Sequence, residues 1–92
     1  MEILWDKEKN TKLIAERGLS LEAFASLILN KKYYAILKNP SRMEQKIFIV
    51  PYNKYTYVVP FVIDKSFNIV LKTVFPSRKF HKIYGGNDEN TP

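Results

Sequence analysis

The sequence predicts an α+β domain: two N-terminal helices packed on one face of a three- to four-stranded antiparallel sheet, followed by a short basic C-terminal segment. Three observations predict it. Helix caps and helix-type apolar spacing occupy residues 6–30, whereas residues 33–75 carry short alternating apolar runs broken by turn residues. Residues 76–84 then gather hydroxyls, cations and the chain's only imidazole without a single acid.

Residues 2–5 read as a short lead-in strand or extended segment. Asp6 is placed to cap a helix over about 7–17, with Glu8 early and Arg17 late, as the helix dipole favours. Gly18 fits the left-handed position that ends such a helix. Ser20 caps a second helix, whose apolar face is Leu21, Phe24, Ala25, Leu27, Ile28 and Leu29, ending near Asn30. Tyr33 to Leu37 form a first strand of the sheet, Asn39-Pro40-Ser41 a turn, and Ile47 to Val50 a second strand. Tyr55 to Ile63 form a third, where Pro60 implies a bulge or an edge. After a hairpin loop at 64–68 comes the organising strand, with Ile69, Leu71, Thr73 and Phe75 on one face and Val70, Lys72 and Val74 on the other. Loops this short favour an antiparallel meander. Residues 1–84 thus form a single domain, and 85–92, without apolar anchors, are expected to be a disordered tail.

Ninety-two residues without cysteine allow one small core and exclude disulfides and thiolate metal sites. No apolar run approaches a membrane span and no basic leader opens the chain, so a cytoplasmic protein without membrane contact is expected. The net charge of +6 is unevenly spread: residues 31–84 hold eleven basic residues against two acidic ones. Such a surplus fits a polyanionic partner.

The chemistry this composition permits is metal-free cleavage of RNA. No cofactor is expected, and a metal site is not expected, because His81, Glu44 and Asp64 are too few donors for one in the basic half. The three glycines, at 18, 85 and 86, make no phosphate loop. In RNA the 2′-OH attacks the neighbouring phosphorus once its proton is removed and the growing negative charge is stabilised. Arg78, Lys72, His81 and Tyr84 supply the residue types for catalysis. Lys79 and Lys82, with Arg42 and Lys46, are the expected RNA contacts. Each has a plainer reading as well: Arg78 in a partner salt bridge, His81 as a surface or capping residue, Tyr84 as packing at the sheet end.

Trp5-Asp6-Lys7-Glu8-Lys9-Asn10, followed after seven residues by Gly18-Leu19-Ser20-Leu21-Glu22-Ala23, resembles the opening of BrnT-type toxins. Val74-Phe75-Pro76-Ser77-Arg78-Lys79 is similar to that family's last strand and its S-x-R-like segment. The resemblance covers roughly residues 2–84. It implies a RelE-like fold and a toxin of a type II toxin–antitoxin system acting as an endoribonuclease. It also implies a ribbon-helix-helix antitoxin, through which alone operator DNA would be met. By the same resemblance Arg78 is the matched site residue, Asp6 a cap, and Lys9 an RNA-facing companion. Two alternatives stay open on the residues alone: a non-catalytic nucleic-acid-binding module, and a protein-interaction domain with a basic sheet face.

Overall fold

Asp6 accepts hydrogen bonds from the backbone N–H groups of Glu8 (2.8 Å) and Lys9 (3.1 Å), which opens α1 (Lys7–Arg17). Gly18, at φ 66°, closes it by donating its N–H to the Ile14 carbonyl at 2.9 Å. Ser20 then caps α2 (Leu21–Leu29) through the N–H of Ala23 at 3.3 Å. These are the caps expected from the sequence. The computed structural model describes residues 1–85. The expected tail lies outside them except for Gly85, which is buried and belongs to the ordered chain.

The strands are β1 (Ile3–Trp5), β2 (Ala35–Lys38), β3 (Lys46–Tyr52), β4 (Tyr55–Ile63), β5 (Ile69–Leu71) and β6 (Phe75–Pro76). Their order in the sheet is β1-β5-β4-β3-β2, with β6 pairing back onto β4. From β2 to β5 each strand is antiparallel to the next, the expected meander. The sheet is larger than three or four strands and mixed, because β1 adds to the β5 edge in parallel, Ile3 facing Ile69.

The organising strand is interrupted, and Pro60 is the cause. Lys72 donates its N–H to the Pro60 carbonyl at 2.9 Å. In an antiparallel ladder a residue's N–H and C=O face the same neighbour, so the donor that Pro60 lacks is the one Lys72 would need in return. The ladder breaks there. Phe61 faces Leu71 and Val58 faces Phe75, which leaves two residues on β4 between the pairs against three on the other strand. That one-residue bulge separates β5 from β6. It reverses the alternation expected beyond Leu71: Val74 is fully buried in the core, and Phe75 is turned outward, 38% exposed.

The two faces of the sheet are covered by different segments. Phe48 and Val50 of β3, Val59 and Phe61 of β4 and Leu71 of β5 form one core with Leu21, Phe24, Ala25 and Ile28 of α2. Each fully buried large side chain there contributes about 1.5–3 kcal/mol. Ile47, Ile49 and Val58, the intervening positions, face the other way and pack with Phe80 and Tyr84. Those two belong to the C-terminal segment, where Ser77 caps α3 (Arg78–Phe80) and the chain runs on into a wider π-helical turn, His81–Gly85. The basic C-terminal segment is therefore helical and lies across the sheet from α1 and α2.

Candidate nucleic-acid interface

A cleft of about 620 Å³ opens between α1, the β2–β3 turn and the bulged strand. Lys9, Lys12 and Arg17 reach it from α1, Arg42 from the turn and Lys72 from the bulge. Among the described residues Glu16 is the only acid lining it, and Phe75 its only aromatic. The turn that carries Arg42 is internally tied. Asn39 Oδ1 accepts the N–H of Ser41 at 2.9 Å, and Asn39 Nδ2 donates to Gln45 Oε1 at 3.1 Å. The Gln45 N–H also bonds the Arg42 carbonyl at 3.0 Å. Five cations against one carboxylate in a concave site with low-dielectric walls concentrate a positive potential suited to phosphate.

Lys9, Lys12, Leu13, Glu16 and Arg17 line this cleft because they are spaced i, i+3, i+4, i+7 and i+8, one stripe of α1. Sequence reasoning missed Lys12, Glu16 and Arg17 by counting charge over the whole N-terminal third, where acids balance bases. The signal was present in the helical spacing, since Asp6, Glu8 and Glu22 lie off the stripe.

Of the residues singled out in the sequence, the cleft brings Lys9, Arg42 and Lys72 together. Arg78, Lys79 and Lys82 do not line it. They are exposed on α3 and the π-helical turn, Lys79 with its Nζ 5.3 Å from the Phe80 ring centre. Lys46 is exposed at the start of β3, outside the cleft. Tyr84 stacks on Tyr34, ring centres 5.6 Å apart and 12° from parallel. His81 lines a separate hollow of about 340 Å³ with Tyr34, Lys54, Tyr55 and Thr56. Its Nδ1 lies 2.9 Å from Oγ1 of the fully buried Thr56, and its ring sits 4.3 Å from that of Tyr55. The catalytic set expected from Arg78, Lys72, His81 and Tyr84 is thus divided: Lys72 lines the cleft, and Arg78, His81 and Tyr84 do not. Among the described residues no three His, Asp or Glu side chains converge.

Among solved structures, that of the Brucella abortus ribonuclease toxin BrnT matches with a TM-score of 0.62, covering 84% of this chain and 96% of that chain at 19% identity. The fold is that of a BrnT-type toxin. No protein-family model matches the sequence, and no curated protein matches it. In this BrnT-type fold the cleft is assembled from α1, the β2–β3 turn and the broken strand, three segments distant in sequence. Among the described residues no helix is long and apolar enough to cross a membrane.

Proposed function

We propose that this protein is the toxin of a type II toxin–antitoxin system, a ribonuclease that cuts RNA without a metal and so inhibits growth. The observation that carries this reading is the convergence of Lys9, Lys12, Arg17, Arg42 and Lys72 with Glu16 on one cleft of a BrnT-type fold. Glu16 accepts the proton of the ribose 2′-OH. The 2′-oxygen then bonds to the adjacent phosphorus, the bond from phosphorus to the 5′-oxygen breaks, and a cleft lysine returns a proton to that leaving oxygen. Arg42 and Lys72 hold the phosphate oxygens, whose charge grows toward the transition state, so their attraction is largest where it lowers the barrier. Arg78, Lys79 and Lys82 serve as contacts for flanking phosphates outside the cleft.

The same cations supply the hold for a cognate antitoxin. An acidic antitoxin segment laid in the cleft excludes RNA, and a ribbon-helix-helix domain on that partner makes the operator contacts. The cytoplasm is where both partners would be met.

Purified protein incubated with RNA in EDTA is expected to cut the strand. Lys72→Ala and Glu16→Gln are expected to lower the rate roughly 100-fold or more while retaining the wild-type circular dichroism spectrum. Binding without scission by the wild type would replace this reading with a non-catalytic binding module. Full activity in both variants would remove the cleft from the chemistry.

A further inference from the structure

Phe75 is an aromatic side chain that the fold turns outward. Alternation alone would have buried it beside Leu71, and the bulge opposite Pro60 gives that place to Val74. Among the described residues Phe24, Phe48, Phe61 and Phe80 each have an aromatic neighbour; Phe67 and Phe75 have none, and of these two Phe75 lines the cleft. It remains 38% exposed, on the wall of the cleft that also carries Lys72, Lys9 and Arg42.

A partly exposed ring beside a row of cations is the chemistry that binds single-stranded nucleic acid. Cations track the backbone while a base, whose π-face is available only when it is unpaired and unstacked, lies on the aromatic. In a duplex the bases are stacked on one another and the phosphates alone reach such a cleft. We infer that Phe75 is a stacking platform for one nucleobase, and that the cleft is therefore selective for single-stranded RNA over duplex. This rests on the reading of the cleft as the RNA site and adds the substrate class to it. Packing at the rim of the core is the plainer role for an apolar residue here, and it makes no distinction between phenylalanine and leucine.

The test uses the whole protein and a short single-stranded 2′-O-methyl RNA, which lacks the attacking hydroxyl, with affinity followed by fluorescence anisotropy. The same strand in duplex form and a matched strand of abasic sugars serve as comparisons. Phe75→Ala is expected to weaken binding of the single strand about 5- to 150-fold, the range seen when one base loses its aromatic partner. Phe75→Leu, which keeps apolar bulk without a π-system, should weaken it similarly, and Phe75→Trp should restore it. The salt dependence should match that of the wild type in every Phe75 variant, since no charge has changed. Affinity for the abasic strand should be the same in all of them.

Unchanged binding in Phe75→Ala, or equal wild-type affinity for the normal and abasic strands, overturns the stacking role. If Lys72→Ala still weakens binding in that case, the cleft survives as the RNA site. If Lys72→Ala also has no effect, the cleft reading falls with it. Should Phe75→Ala fail to fold, the Leu and Trp variants decide the question by the same comparison.

Discussion

Asn10 Oδ1 accepts the backbone N–H of Leu21 at 2.7 Å, joining the middle of α1 to the first residue of α2. With Asp6 capping α1, two polar residues of the Trp5–Asn10 stretch are occupied in holding the helical corner, and Lys9 between them lines the cleft. Asn10→Ala leaves a helix-start N–H without its partner and is expected to cost about 1–2 kcal/mol. Asn10→Asp keeps the acceptor and should lose less. Urea unfolding of the two variants measures the difference.

Removing one cleft cation should change how RNA binding responds to salt. On a single strand, each phosphate that no longer meets a cation lowers the slope of log affinity against log salt by about 0.7. Lys12→Ala, Arg42→Ala and Lys72→Ala are each expected to show that decrement in anisotropy titrations over a range of salt concentrations. A slope unchanged in all three would mean that RNA binds elsewhere.

Gly85 closes the C-terminal segment against His81 and Thr56. A Cβ at this position would stand 2.5 Å from His81 Nδ1 and 2.6 Å from Thr56 Oγ1. Gly85→Ala is therefore expected to destabilise the protein by about 1–3 kcal/mol, because both atoms belong to a packed, hydrogen-bonded pair. Thermal unfolding measures the loss. The contacts made within the cleft should be retained below the transition, since none of Gly85, His81 and Thr56 lines it.

Asp64 ties the loop between β4 and β5. The Asn68 N–H (2.8 Å) is the chief influence holding its carboxyl below the usual aspartate range; lost hydration opposes it, and the Ser66 N–H (2.9 Å) and Asn68 side chain (3.3 Å) reinforce it. A carboxylate with a lowered folded pKa contributes stability that is fully present above its unfolded pKa. That contribution is lost as the pH falls through the folded value. Wild-type stability should therefore decline in acid more steeply than that of Asp64→Asn, and the two curves should run parallel from mild acid to neutrality. Equilibrium unfolding across that range makes the comparison.

Both helices were legible because their ends are written in local chemistry: Asp6, Gly18 and Ser20 each do in the structure what their side chains or backbone freedom imply. The β2-to-β5 meander was legible from alternation and short loops. The parallel pairing of β1 was not, since three residues joined to a strand more than sixty positions away leave no nearby trace. Pro60 announced a flaw in β4, but the consequence fell on its partner, where the bulge exchanged Val74 and Phe75. The cleft was half legible. Lys72, Arg42 and Lys9 stood out as cations, whereas Lys12, Glu16 and Arg17 emerge only when charge is sorted by helix face. Arg78 and Lys79 follow Lys72 closely in sequence, yet the helical turn after Ser77 carries them away from the cleft.

Because β1 docks on β5, the earliest-made residues must wait for much later ones before the sheet edge exists. A ribosome translating this message must pass Phe75 before that ring and Lys72 can meet α1. A nascent chain short of that point therefore lacks the completed cleft, and a stop codon ahead of residue 69 leaves the sheet without its β5 edge.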